Sequence, residues 1–446
     1  MTAEKQAIVE TVTNLIWAVD RRDFALAKDQ FADLVTVDYI SLFGGDVEQL
    51  SAQSLVDRWS RFLPNLQMTQ HTLSNFRVDV SGNQAICTSY VQGFHYLPYT
   101  EGGSQWLVMG YYTHHLINLD GGWKITLMKL TTTYEEGNRN VLVAAGNFPT
   151  VRSFSFDSEG DQLAGQLLLP PTYQPGEKLP AVIVTGSWTT VKEQMPTTYA
   201  RLMAQRGFAA FLFDFRGFGE SDGAPRQYES ATRKVADIRN AITFLASLPE
   251  VDANQLAGLA VCASAGYMAV AAATDTRLKA FAAVAPWLHN HDIAGAIYGG
   301  EPGMQGRIDQ ADQAQARWEA TGESTLVPAC SPTDDRAPMF GQWDYYLNPR
   351  RGAIPAWKNE FNVMSWKDWL TFDPIRSAPD IQCPVYLIHS HEAAIPQGVQ
   401  QFYDTLTTTS RNLTWMSGQQ FDFYDSEPTV LAASSRVADW LHVQLS

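Results

Sequence analysis

Apolar positions fall in two different rhythms along the chain. From about residue 150 onward, short runs are apolar on both faces: Ala181-Val182-Ile183-Val184-Thr185, Phe208-Ala209-Ala210-Phe211-Leu212-Phe213, Leu259-Ala260-Val261, Ala280-Phe281-Ala282-Ala283-Val284 and Val385-Tyr386-Leu387-Ile388. Stretches of helical spacing separate them, for example Val235, Ile238, Ala241, Ile242 and Leu245. Strands without a polar face, alternating with amphipathic helices, predict a parallel sheet covered on both sides. Before residue 150 the order differs. Residues 3–19 and 23–31 read as amphipathic helices, with another helix around 54–62. Three long strand-like runs follow over 84–96, 105–119 and 122–133, the last two joined as a hairpin by Asp120-Gly121-Gly122. Helices followed by a curved antiparallel sheet predict an α+β cone. The expected division is a cone over 1–140, a linker over 141–149 and an α/β unit over 150–446, with an insertion at about 287–372.

The segment Leu259-Ala260-Val261-Cys262-Ala263-Ser264-Ala265-Gly266-Tyr267 reads as a buried strand, a small-residue turn and an Ala-rich helix. A serine on a tight strand-to-helix turn needs small residues two before and two after it, and Cys262 and Gly266 meet that need around Ser264. Such a turn exposes the hydroxyl and aims a helix N-terminus at it, favouring developing negative charge. One oxyanion donor is then the N–H of Ala265. A second comes from the loop after the first apolar run, at Ser187 or Trp188. The alternative is an ordinary strand-to-helix turn.

The order of apolar runs, the segment Asp214-Phe215-Arg216-Gly217-Phe218-Gly219-Glu220-Ser221 and this elbow together resemble the α/β-hydrolase family. The resemblance spans about 150–446 and is nearest to dienelactone-hydrolase-like and peptidase-like esterases. It implies an acid after the seventh strand and a histidine after the eighth. Glu392 is the acid candidate. Phe421 stands where many relatives carry the histidine, and none lies between His391 and His442. A base would have to reach over from His289 or His291 after the sixth strand, with His291 the candidate, or from His389 or His391. The alternative is a retained fold with altered chemistry. The insertion is rich in tryptophan (Trp318, Trp343, Trp357, Trp366, Trp369) and sits where this fold carries a cap, which implies a bulky apolar or aromatic ligand.

In the first stretch, Trp17 to Phe24, Val37-Asp38-Tyr39, Thr69-Gln70-His71 and Phe94-His95-Tyr96 occur in an order that resembles the SnoaL-like branch of the NTF2-like fold, and within it the scytalone-dehydratase-like members. The resemblance places Asp20, Tyr39, His71 and His95 inside the cone. It departs at Val19, where those members carry a second tyrosine. The chemistry stands on its own terms: a carboxylate bonded to an imidazole fixes its tautomer and raises its basicity, and a nearby phenol polarises a carbonyl or holds a water. The competing roles are a cap or an ion pair with Arg21 or Arg22 for Asp20, and core packing for His95. His114 and His115 are adjacent on a strand and point to opposite faces; neither is assigned a role.

A formal net charge of -15 over 446 residues argues against nucleic-acid partners and anionic membranes. Four cysteines without metal or disulfide spacing fit a reduced, cytoplasmic setting. No run reaches membrane-spanning length, and Met1 to Phe24 lacks a secretory core. The pairs His289/His291 and His389/His391 lack a third ligand, so neither a metal nor a cofactor is expected. The expected enzyme eliminates water from, or isomerises, a small aromatic or polyketide-like carbonyl compound in the cone. The alternative is an ester or C–C bond hydrolase using Ser264, with the cone as a dimerisation or lid module. A homodimer is expected through residues 1–140, across a sheet face bearing Trp106, Tyr112 and Trp123.

Overall fold

Thr2 accepts the N–H of Lys5 and starts helix α1 (Ala3–Arg21), which ends where Arg22 turns left-handed at φ 62°. Ile8, Val12, Leu15, Ile16 and Val19 form its buried stripe. Asp23 caps α2 (Phe24–Asp29) by accepting the N–H of Leu26 at 3.0 Å. The computed structural model describes residues 2–120 and 122–446 and divides between Phe148 and Pro149. Gly121, in the expected hairpin turn, lies outside the described residues.

The first unit continues with β1 (Phe31–Asp38), α3 (Ile40–Phe43), β2 (Glu48–Ser51), α4 (Ala52–Ser60), β3 (Met68–Ser81), β4 (Gln84–Tyr96), β5 (Gln105–Leu119), β6 (Gly122–Gly137) and α5 (Asn140–Gly146). The sheet order is β2-β1-β6-β5-β4-β3, with only β1 and β6 parallel. Three sequence expectations need correction. The last strand of the cone, expected over 122–133, runs on to Gly137 as β6. Residues 140–146 form α5, whose Val141 and Ala145 join this unit's core, so most of the expected linker is cone. Trp106, Tyr112 and Trp123 are 2%, 6% and 6% exposed. They pack into the cone core, because a sheet curled around α1 has a concave side that large rings fill. The exposed outer face carries Ile86, Tyr90 and Tyr111 instead.

The second unit holds an eight-stranded sheet in the order β18-β17-β12-β11-β9-β10-β8-β7. Its strands are β7 (Thr150–Ser158), β8 (Asp161–Leu169), β9 (Leu179–Thr185), β10 (Ala209–Phe213), β11 (Val251–Val261), β12 (Leu278–Val284), β17 (Val385–His389) and β18 (Arg411–Trp415). All pairs from β10 to β18 are parallel; β8 runs antiparallel to β10 and to β7. Helices α6 (Met195–Gln205), α7 (Ala231–Ala246), α8 (Ser264–Thr274), α13 (Pro396–Thr405), α14 (Asp422–Asp425) and α15 (Glu427–Leu445) belong to this unit. The central strands are buried along nearly their whole length, as two-sided apolar runs require. Between β12 and β17 the insertion contributes α9 (His291–Tyr298), α10 (Gly300–Thr321), α11 (Asp344–Leu347), α12 (Ser365–Thr371) and four two-residue strands, β13 to β16, at 326–327, 330–331, 339–340 and 361–362.

Candidate active sites

Asp20 ends α1 beside β3. Its Oδ1 lies 2.7 Å from Nδ1 of His71, and its Oδ2 accepts the backbone N–H of the same residue at 2.7 Å. Burial alone would raise the Asp20 carboxyl, but hydrogen bonds from His71 and its charge outweigh that and hold it below the usual range. Arg22 does not take the carboxylate: its guanidinium donates to Thr69 Oγ1 at 2.6 Å and to the carbonyls of Val19 and Asp20, each at 3.1 Å. With Nδ1 occupied by Asp20, Nε2 is the free edge of His71, which lines a cavity of about 550 Å³. Gly93, opposite His71 across the β3–β4 ladder, makes the room: a Cβ there would stand 3.0 Å from Nε2.

Tyr39 lines the same cavity, its hydroxyl 3.2 Å from that of Tyr112. Burial raises both phenols, so both stay neutral and can donate. Tyr112 was missed in the sequence. It supplies a second tyrosine from β5 where Val19 on α1 cannot; the sequence sets it, with Trp106, on the expected dimer face. His95 meets His71 edge-on at 5.3 Å between centroids and packs on Trp106 at 4.7 Å. Burial, assisted by the charge of His71, pushes it down to about 3, so it is neutral. The cavity wall is otherwise apolar, with Trp59, Phe62 and Val108 among its residues, and Arg58 is paired to Glu48 at 2.7 Å on its lining. His114 is buried and faces inward while His115 is exposed, as their adjacency requires.

In the second unit, β11 ends at Val261 and α8 begins at Ser264. The residue turned left-handed between them is Cys262, at φ 59°. A side chain bears such a backbone only where the surroundings impose it, and here the N–H of Cys262 is tied to Val284 and its carbonyl to Trp287. The sharp corner is thus two residues earlier than expected. Cys262 lines a cavity of about 270 Å³, and Ser264 does not. Ser264 is buried; its Oγ accepts from Thr185 Oγ1 at 2.9 Å and bonds the carbonyl of Val261 at 3.2 Å. The N–H of Ala265 donates to the carbonyl of Cys262 at 3.1 Å, inside the first helical turn, and is not free for an oxyanion. The N–H that follows the corner belongs to Ala263 and is directed at the Cys262 sulfur. Trp188, the other expected oxyanion donor, lines the cavity together with Ser187.

The loop that carries Ser187 and Trp188 is clamped from below. Thr189 is left-handed at φ 61°, and its N–H donates to Glu229 Oε1 at 2.7 Å. Lys192 is buried, with Nζ 2.8 Å from Asp214, 2.6 Å from Glu193 and 2.5 Å from Glu220. That ammonium fills the one cluster of acidic groups compact enough for a metal among the described residues.

The expected acid and base are not in this cavity. Glu392 is exposed, and His291, with a side chain 62% exposed, pairs with Glu301 at 3.1 Å. His289 is spent between Trp287 Nε1 at 3.2 Å and the Trp369 carbonyl at 2.9 Å. His389 bonds the Ala394 carbonyl at 3.0 Å, and burial pushes it down to about 4. His391 stacks on Trp415. At these strand exits His289 and His389 are buried in the packing, and His291 and His391 are exposed. Around Cys262 stand hydroxyls and an amide: Tyr346 OH donates to Ser187 Oγ at 3.1 Å, Ser187 Oγ lies 2.9 Å from Tyr424 OH, and Gln420 Nε2 donates to Tyr424 OH at 3.3 Å. The insertion supplies Tyr298, Phe340, Trp343 and Trp369 to the wall, as expected of a cap.

Cone and elbow define an enzyme made of a SnoaL-like unit and an α/β-hydrolase-type unit. Residues 1–129 match the SnoaL-like domain family, and residues 159–419 match the X-Pro dipeptidyl-peptidase (S15) family. The second match covers more than half of the chain, which belongs to that family. Among similar proteins, the uncharacterized protein YcjY of Escherichia coli (strain K12) is 25% identical over 69% of this chain and 99% of its own. The polyketide transferase claH of Penicillium crustosum is 37% identical over 53% of this chain and 79% of its own. The crystal structure of the alpha/beta hydrolase GrgF from Penicillium sp. sh18 shares the fold, with a TM-score of 0.57 at 21% identity, covering 66% of this chain and 99% of that one. No helix among the described residues is long and apolar enough to cross a membrane.

Proposed function

We propose that the cone eliminates water from, or isomerises, a small aromatic or polyketide-like carbonyl compound. The carrying observation is the Asp20–His71 contact at 2.7 Å, with the imidazole lining an apolar cavity. Asp20 keeps the proton of His71 on Nδ1, so Nε2 is basic and takes a proton from the carbon next to the carbonyl. Neutral Tyr39 and Tyr112 donate to the carbonyl oxygen as negative charge develops, or hold the departing water. His95, held neutral, walls His71 without competing for its proton. The test uses 3-hydroxy-1-tetralone, which loses water to give 1-naphthol. His71→Ala should cut turnover about a hundredfold or more. Full activity in that variant would end the proposal.

A second reading has its own observation. Cys262 occupies the left-handed corner and lines the aromatic cavity, so the elbow acts on acyl compounds through a thiol rather than through Ser264. Ala263 and Trp188 N–H groups are the oxyanion donors. The likeness to a polyketide transferase supports a polyketide-related acyl group. The four cysteines are free, which supports a reducing, cytoplasmic setting. A homodimer through the cone's outer face is proposed on the exposed Tyr90 and Tyr111, which are cross-strand partners. Changing both to Glu should halve the mass measured by sedimentation; an unchanged mass contradicts that interface.

A further inference from the structure

We propose that the elbow transfers acyl groups between thiols and does not hydrolyse them: Cys262 accepts an aromatic acyl group from a thioester and yields it to a second thiol, with water a poor acceptor. This rests on the reading that Cys262 is the elbow's nucleophile. The inference beyond it comes from what surrounds the sulfur. The chain has nine histidines. Four lie in the first unit, four are engaged at His289, His291, His389 and His391 as described, and His442 bonds the Arg206 carbonyl at 2.9 Å. None lines the cavity that holds Cys262. Its polar neighbours are Ser187, Tyr424 and Gln420, none of which accepts a proton at neutral pH.

That environment separates two acceptors that an imidazole would serve alike. A thiol ionises near pH 8.5 without help, whereas bulk water has a pKa of about 15.7 and needs a base to attack a thioester. Thioester exchange also needs no net proton acceptor. The Cys262 S–C bond forms, the bond from the acyl carbon to the donor sulfur breaks, and the Cys262 proton ends on the departing thiol. The hydroxyls of Tyr424, Ser187 and Tyr346 form a chain along which that proton can pass. The carbonyl oxygen carries the charge between these steps against the N–H groups of Ala263 and Trp188. The cavity wall around the sulfur is largely aromatic and offers no proton acceptor to an incoming water. Burial raises the Cys262 thiol, against the hydrogen bonds of Ser187, Tyr424, Ala263 and Gln420 that lower it. The thiolate fraction therefore grows with pH through and above neutrality, and acylation should do the same.

The test incubates the full-length protein with the 2-naphthoyl thioester of N-acetylcysteamine and follows intact mass, peptide mapping and free naphthoic acid. The expected result is one naphthoyl group on Cys262, forming faster from pH 7 to pH 9 without a neutral plateau, and lost to added 2-mercaptoethanol about tenfold or more faster than to water. Cys262→Ser, checked for native circular dichroism, should not carry the group. Repeated release of naphthoic acid by the wild type would overturn transfer while leaving Cys262 as the nucleophile. No acyl group at Cys262 at any of these pH values would overturn both.

Discussion

Replacing Asp20 by Asn changes one atom and should remove nearly all turnover in the cone. Asp20 offers two acceptor oxygens to one residue: Oδ2 to the backbone N–H of His71 and Oδ1 to its Nδ1, both at 2.7 Å. An Asn side chain has one oxygen and one NH2. The buried backbone N–H takes the oxygen, because a lost partner there costs about 1–3 kcal/mol. The NH2 then faces Nδ1, which must accept, and the imidazole proton moves to Nε2. The nitrogen that faces the substrate is thereby converted from base to donor. A tautomer reversal of this kind costs a general base about 10³–10⁴ in kcat, or about 4–5.5 kcal/mol of barrier. The assay is naphthol fluorescence from 3-hydroxy-1-tetralone at pH 7, with a thermal melt to show that the variant folds. A folded Asp20→Asn protein that keeps about a tenth or more of the wild-type kcat would refute the tautomer argument.

Gly93→Ala should act on the same dyad from across the sheet, since its Cβ would stand 2.9 Å from Cδ2 and 3.0 Å from Nε2 of His71; the expected result is a lower kcat in a folded protein, read in the same assay, and wild-type kcat would show that His71 can yield without leaving Asp20. Burial holds His95 and His114 at about 3. A folded value below the unfolded one of about 6.5 means that the unfolded chain binds protons the folded one refuses, so stability is full above pH 6.5 and falls toward pH 3 by up to ~1.4 kcal/mol per pH unit per histidine. Urea midpoints at pH 7 and pH 5 measure this; His114→Phe should flatten the difference, and equal wild-type midpoints would contradict it. Ser264→Ala should cost about 1 kcal/mol, the worth of its bond to Thr185, and leave Cys262 labelling by iodoacetamide unchanged. Loss of that labelling in a folded variant would return Ser264 to the elbow's chemistry.

The parts legible in the sequence are those set by local periodicity. Two-sided apolar runs placed the central strands of the second unit, whereas His95 was placed inside the cone by the resemblance to SnoaL-like proteins, and the burial pattern along β4 agrees with that. Asp20 and His71 were legible as chemistry, although β3 was not legible as a strand. Its polar run Thr69-Gln70-His71-Thr72 is only partly buried, so it lacks a hydrophobic period. Tyr112 was missed because its partnership with Tyr39 is tertiary, made by strands far apart in the chain. The elbow failed for a sharper reason. Small residues flank Cys262 (Ala260, Ser264) as well as they flank Ser264 (Cys262, Gly266), so spacing alone admits either corner. Only the backbone dihedral, left-handed at Cys262, separates them. The displaced donors follow from that one register: Ala265 becomes helix and Ala263 takes its place.

The central claim is that His71 moves a proton at the carbon beside a carbonyl. Proton NMR of 1-tetralone in D2O tests it directly, because this ketone has the exchangeable C–H but no hydroxyl to lose. The account predicts that the wild-type protein speeds loss of the C2–H signal and that His71→Ala leaves it at the buffer rate. Equal exchange with both proteins, or no acceleration by the wild type, would contradict it.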